Sequence, residues 1–395
     1  MMNTMKLHIY PLLIAVILGM ASCVYPFDID AEGEGGSMVI EGDILIGELT
    51  TVKLSYTVPI TSFSTQGSEE LIPAEVTVLD DRGGVYNVIS QGPEGYVVDT
   101  RDADPGRQYK LRVKNFENNR TYESSFQQVC KPAVIDSLSY NIDSKRDRLD
   151  VAISMHSGSE SFFRWTFVED WEYHTTMKAA YKYIPPAVHR NFWGSEVADG
   201  TGSVEKMSAD DLTYYCWSHN VSRNIMIFSI EKQSDDRFVD LEFYTIDRTD
   251  RRISYIYHIA VQLQALTKDA YAYWANVRDH SDYSGSLFSP NPSEVLGNIT
   301  CIEDPSEVVY GYISAAQRSV KTLYIRASSF YKEKENFDRT LAQPSQKEWY
   351  TYYKNGYLPF DTGENPLAPP DWVKSRCVDC RLFGGTTTKP DFWAY

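Results

Sequence analysis

The chain has 395 residues, 43% of them hydrophobic and 23% charged, with a formal net charge of −16. That length can bury two or three cores, and that balance describes a globular polymer rather than a disordered one. The acidity excludes polyanions as natural partners, which removes nucleic acid and anionic membrane surfaces from consideration.

Residues 1–22 read as a secretory signal. Lys6 precedes an apolar run from Leu12 to Leu18, and Met20-Ala21-Ser22 leads into Cys23. The run is too short to span a bilayer as a permanent helix. The residues before Cys23 resemble a bacterial lipobox, with Met20 where Leu is usual, which implies that Cys23 carries lipid and holds the protein to a bilayer. Residues 23–37 interleave acids with glycines (Asp28, Asp30, Glu32, Gly33, Glu34) and predict a flexible tether. Asp28, Asp30, Glu32 and Gly33 also open like a calcium loop. The loop's twelfth position falls on Val39, which has no carboxylate to give, so no metal site is expected.

Residues 38–130 alternate with period two. Val52, Leu54, Tyr56 and Val58 face one way and Thr51, Lys53, Ser55 and Thr57 the other; Tyr109, Leu111 and Val113 repeat the pattern. Asp104-Pro105-Gly106 is a turn in which Pro fixes φ and Gly accepts a positive one. Aromatics make up 13% of the chain, and such side chains suit pleated, half-buried surfaces. Short strands without a helical period predict an immunoglobulin- or fibronectin-like β-sandwich over 38–130. Residues 131–395 read as a larger β-rich domain with one prominent helix over 268–280, capped by Thr267 and stapled by Leu266 to Tyr271. Within it, 253–264 predicts a long central strand and 308–325 a hairpin turning near 315–318. Its last residues, with their cysteines, predict a wrap around the domain.

The cysteines are Cys23, Cys130, Cys216, Cys301, Cys377 and Cys380. With Cys23 lipidated, the other five allow two bridges and leave one thiol. Cys377 and Cys380 lack the second pair that zinc needs and the βαβ setting of a redox motif. They predict a structural bridge, either with each other or from this pair to Cys301 or Cys216, while Cys130 stays a further candidate.

No Gly-x-Ser-x-Gly, His-Glu-x-x-His, phosphate-binding loop or dinucleotide fingerprint occurs, so no catalytic residue is assigned and no cofactor is expected. His156, His174, His189, His219, His258 and His280 are scattered without ligand spacing. The acid pairs Glu169-Asp170 and Asp210-Asp211 read as charged turns. Cys216 and His219 lie in an apparent strand, where they point to opposite faces and cannot act as a nucleophile–base pair. The stretch from Trp171 to Trp193 holds Tyr173, Tyr181 and Tyr183 among Lys178, Lys182 and Arg190, and Pro185-Pro186 breaks it. Two readings stand: a long binding loop, or aromatics folded back as a satellite core.

Read in order, several features form a pattern. They are the lipobox, Cys216-Trp217, Ala270-Tyr271-Ala272-Tyr273-Trp274, Gly285-Ser286-Leu287-Phe288, Gly297-Asn298-Ile299 and Gly311-Tyr312. The closing run adds Cys377, Cys380, Gly384-Gly385 and Lys389-Pro390-Asp391-Phe392-Trp393. Together they resemble a Bacteroidota lipoprotein family known as domain of unknown function 4249. The resemblance implies an outer-membrane lipoprotein working beside a TonB-dependent transporter in nutrient uptake, and it brings no catalytic residues. Two classes of function follow: a non-enzymatic lipoprotein that binds a substrate or docks on the transporter, or an envelope hydrolase whose acids or histidines converge only in the fold. The membrane face stays open, because Val24-Tyr25-Pro26-Phe27 separates Cys23 from the first acid.

Overall fold

The structure, a computed structural model, describes residues 36–57, 71–231, 236–283, 297–334, 337–365 and 367–394. Cys23 and the signal segment lie outside the described residues, as does the tether up to residue 35.

The alternation in the first part does build strands. In chain order these are β1 (Met38–Leu45), β2 (Leu49–Tyr56), β3 (Ala74–Asp80), β4 (Val85–Gly92), β5 (Gly95–Asp99), β6 (Gln108–Asn115), β7 (Thr121–Ser124) and β8 (Gln127–Cys130). They pair in the order β6-β3-β4-β5-β2-β1, which leaves an edge at β1. A segment from far along the chain fills that edge. Ser314–Ala316 lies parallel to β1 and parallel to β8, and β8 returns to β6. Eight strands therefore close into a barrel, which corrects the expected immunoglobulin-like sandwich. Alternation is the same for a sandwich face and a barrel wall, and closure depends on a parallel pairing that no local turn announces.

The barrel interior mixes Ile40, Val52, Val78 and Val113 with Ile299, Ile313 and Ala315 from the late segment. Gly311 makes this possible. Its φ is +123°, and a Cβ there would stand 1.9 Å from the Ile40 carbonyl oxygen. Only glycine lets the two backbones come that close.

Beyond the barrel run β9 (Val134–Asp143), β10 (Arg148–His156), β11 (Phe162–His174), β12 (Tyr181–Ile184), β13 (Val188–Arg190), β14 (Glu196–Ala198), β15 (Ser203–Lys206), β16 (Tyr215–Val221), β17 (Met226–Ser229), β18 (Arg237–Asp247) and β19 (Ile256–Ala265). A three-stranded sheet, β18-β10-β9, faces a second sheet ordered β16-β11-β19 and Arg318–Ile325, with β17 also on β11. Leu149, Val151 and Ile153 of β10 meet Phe163, Trp165 and Phe167 of β11 and Tyr257, Ile259 and Val261 of β19 in one apolar core. The two-layer packing thus lies in the second unit.

The helix spans Lys268–Tyr283, and Thr267 Oγ1 accepts from the Ala270 amide at 3.2 Å, as a cap should. Leu266 and Ala270 bury against Tyr312, and Tyr271 packs with them. A second, shorter helix spans Trp349–Lys354. The hairpin expected over 308–325 does not form. Ser314–Ala316 belongs to the barrel, whereas Arg318–Ile325 pairs with β19. Arg318 fastens the two units, reaching Glu48 at 2.6 Å and Gln262 at 2.7 Å, and Arg164 of β11 pairs with Asp43 of β1.

Candidate functional site

Along β11 the residues alternate between buried and half-buried from Phe162 to Val168, but from Glu169 onward both faces are covered. Glu169 is fully buried and accepts from Arg252 Nη1 and Tyr257 OH, each at 2.6 Å, and from Asn220 Nδ2 at 2.8 Å. Asp170 points the other way. Its Oδ1 lies 2.7 Å from His219 Nδ1 and its Oδ2 3.2 Å from His258 Nδ1, the residues directly across from it on β16 and β19. Burial by itself would raise the Asp170 pKa; the bonds from His258 and His219 outweigh it and hold the carboxyl below its ordinary value. Glu169-Asp170 is therefore a strand centre with both charges partnered, not a charged turn. The pattern could not reveal this, because pairing across strands is set by register. Asp210-Asp211 does sit in a turn, where Lys182 and then Ser208 hold the Asp211 carboxyl below its usual range.

The C-terminal segment covers the Asp170 face. Thr386 exchanges backbone bonds with Trp217 at 2.8 and 2.9 Å, and Trp393 Nε1 donates to Glu172 Oε2 at 3.0 Å. His174 Nε2 lies 2.8 Å from the other oxygen of Glu172. Phe392 and Trp393 also pack on the His258 ring beside Tyr324. His258 and Asp170 are each 5% exposed and lie under this strap, whereas the His219 side chain is 57% exposed at the edge of the cluster. Cys216 and Cys380 form the disulfide that ties the strap to β16, and Tyr173 OH donates to the Cys380 carbonyl at 2.9 Å. Cys130, Cys301 and Cys377 are buried free thiols, and burial pushes that of Cys130 up to about 12. The Cys216–Cys380 bridge is among the pairings that the sequence left open, and it leaves Cys216 unable to serve as a nucleophile.

The stretch from Trp171 to Trp193 is not one loop. Trp171 and Tyr173 belong to β11, where Tyr173 is buried against Cys216 and Cys380. The rest forms a hairpin arm, β12 paired with β15 and β13 with β14. At its tip Phe192 is 94% and Trp193 83% exposed, around an Asn191 side chain that accepts from two tip amides. Tyr183 folds back on Trp372 and Tyr353. An open cleft of about 770 Å3 lies between this arm, the helix Trp349–Lys354 and the root of the strap, with Tyr181, Tyr183, Tyr353 and Tyr357 on its walls. Lys182 pairs with Asp211 at 2.8 Å and Arg381 with Asp379 at 2.8 Å, so those wall charges are mutually spent, while Asp210 lines the same cleft. Composition marks the arm tyrosines as candidates, but Tyr353 and Tyr357 join them only through tertiary packing. Among the described residues no three His, Cys, Asp or Glu side chains gather as a metal site, and no helix is long and apolar enough to cross a membrane.

A model of the family described as domain of unknown function (DUF4249) matches residues 24–322. No curated protein matches the chain. Among solved structures, one titled "Biofilm associated protein - B domain" aligns over 75% of this chain and 87% of its own at 8% identity, with a TM-score of 0.14. A score that low carries no structural argument.

Proposed function

The chain belongs to the DUF4249 family, and from that premise we propose that it is a lipid-anchored, non-enzymatic binding protein of the cell envelope. Its ligand occupies the tyrosine-lined cleft beside the hairpin arm, and its partner is a TonB-dependent outer-membrane transporter. The cleft carries the reading: the half-buried or exposed rings of Tyr181, Tyr353 and Tyr357 stand on its walls, and the wall ion pairs leave little net charge, which suits a ligand with a flat, uncharged body. Cys23 supplies the lipid attachment. The transporter association comes from what the resemblance of the sequence implies.

Extraction of the native lipoprotein in mild detergent, followed by native mass spectrometry and identification of co-purified proteins, tests both parts. The expected result is a co-purified transporter and a bound small molecule that Tyr353→Ala loses. Recovery of no transporter in repeated trials sinks the docking reading, and an identical bound mass in Tyr353→Ala sinks the cleft. Cys23→Ala should release the protein from membranes; a variant that still pellets with them at high salt removes the anchor.

One observation favours a second reading. Glu172 and His174 form a carboxylate–imidazole pair, and Glu172 lines a smaller cleft. Hydrolysis of a nitrophenyl ester or glycoside that disappears in both His174→Ala and Glu172→Gln would replace the binding protein with an envelope hydrolase.

A further inference from the structure

The hairpin arm ends in a feature that neither cleft uses. Phe192 and Trp193 pack edge to face with ring centroids 5.3 Å apart, and at 94% and 83% exposure they touch little else of the fold. Every residue from Phe192 to Val197 is exposed, so the apex projects and lines no groove. Two apolar rings held out in water on a convex apex mark a contact surface.

The backbone of the apex is closed on itself. The Asn191 amide donates to the Ser195 carbonyl and the Gly194 amide to the Asn191 carbonyl, each at 2.9 Å. Asn191 Oδ1 accepts from the Trp193 and Ser195 amides, each at 3.0 Å. Gly194, at φ +78°, takes the left-handed corner that this closure needs. Four amide N–H groups of the apex therefore need no water. An apolar medium demands that, because an unbonded N–H is costly there.

Charge narrows what that medium is. Residues 188–195 contain no acid, on a chain of net charge −16. The nearest acids stand behind the apex and are paired: Glu196, across from Arg190 on β14, with Lys354 at 3.0 Å, and Asp199 with His189 at 3.0 Å. Arg190 is exposed and is the charged side chain nearest the rings in sequence. Apolar rings, one of them an amphipathic indole, with an arginine just behind them match the layers of a half-bilayer, from acyl tails to lipid phosphates. The acidity of the whole chain makes neutral headgroups the fitting surface, since anionic ones would repel it.

We propose that the arm tip is a membrane-contact element: Phe192 and Trp193 enter the headgroup boundary of a bilayer of zwitterionic lipids, and Arg190 meets the lipid phosphates. The proposal rests on the lipid-anchored reading, because two rings alone hold weakly and the anchor at Cys23 keeps them beside the surface. At full extension the residues from Cys23 to Gly36 reach about 45 Å, which lets the arm come down on the leaflet that holds the anchor. Attachment at two points restricts how the fold, and with it the cleft beside the arm, is oriented to the bilayer.

Tryptophan fluorescence of the native lipoprotein, reconstituted into phosphatidylcholine vesicles brominated near the headgroup end of the acyl chains and floated with them, tests the proposal. Wild type should float and be quenched relative to unbrominated vesicles. Trp193→Phe should float and lose most of that quenching, and Phe192→Ser should float with quenching cut to about half or less, since one of the two apolar groups is gone. Arg190→Glu, which sets an acid against the phosphates, should lower it as well. Both rings are exposed, so these variants leave the fold in place. Wild type that floats unquenched, or Trp193→Phe quenched like wild type, overturns the proposal and leaves the anchor standing. Wild type that does not float removes both. Shielding of Trp193 from aqueous iodide by a co-purified protein, and not by vesicles, gives the apex to a protein partner and overturns the proposal too.

Discussion

The barrel and the second sheet solve the same problem, recruiting a remote piece of chain, by different physics. The barrel closes with small and neutral groups. Ala315 and Ala316 slot between β1 and β8, and Thr50 and Thr100 bond each other at 2.8 Å inside the wall. The second sheet buries charge instead. Glu169, Asp170 and Glu172 lie within four positions of β11, and each is hydrogen-bonded by a group from another strand or from the strap. An apolar seam accepts any segment of fitting size, whereas a buried carboxylate accepts only the few groups that can bond it. The strap is therefore held in one position, and both clefts are bordered by residues whose places it fixes.

That contrast can be broken from either side. The largest effect is expected for Glu169→Ala, which takes the acceptor from buried Tyr257 and leaves Arg252 with Asp250 as its one carboxylate partner. Removing one member of a buried ion pair costs about 3–5 kcal/mol, so the urea midpoint should fall steeply. A loss below about 1 kcal/mol would mean that Arg252 simply turns to solvent, and that charge does not organise this sheet.

Next comes Cys216→Ser, which frees the strap from β16 and should cost about 2–4 kcal/mol. Limited proteolysis should then cut near the C-terminus while the barrel stays intact. A strap that remains protected without the bridge would show that Glu172, Thr386 and Trp393 suffice to hold it.

On the barrel side, Gly311→Ala forces a Cβ toward the Ile40 carbonyl in a backbone conformation that alanine disfavours. The expected cost is roughly 1–3 kcal/mol, with faster amide exchange at β1 and Ser314–Ala316. Unchanged exchange there would mean that this crossing does not close the barrel.

The smallest effect concerns pH. The Asp170 carboxyl has a folded pKa below its ordinary value, so its contribution is present above the unfolded value, about 3.9, and is lost as pH falls through the folded one. Wild type should lose stability on acidification below about pH 4, and Asp170→Asn should lose less over the same window. Equal slopes in thermal melts would mean that the bonds from His219 and His258 do not favour the charged Asp170 carboxyl in the fold.

The sequence alone carries the mainly β character, through the alternation around Val52-Leu54 and Tyr109-Leu111-Val113. It also places the helix after Thr267, and it carries the family, whose model matches residues 24–322. These are local or order-dependent signals, and a chain read residue by residue preserves them. It does not carry the barrel. The closing strand Ser314–Ala316 is three residues long and pairs in parallel on both sides, so nothing near it in sequence marks it as a stave. Nor does it carry the site. Asp170, His219 and His258 stand together because β11, β16 and β19 share a register, and register is decided by which faces can be buried. Glu169-Asp170 looks like a solvated turn until the strap packs on His258 at one face and Arg252, Tyr257 and Asn220 close on Glu169 at the other. Composition and pattern fix which residues want to be inside; only the assembled fold decides which charges go in with them, since each must find its partner there.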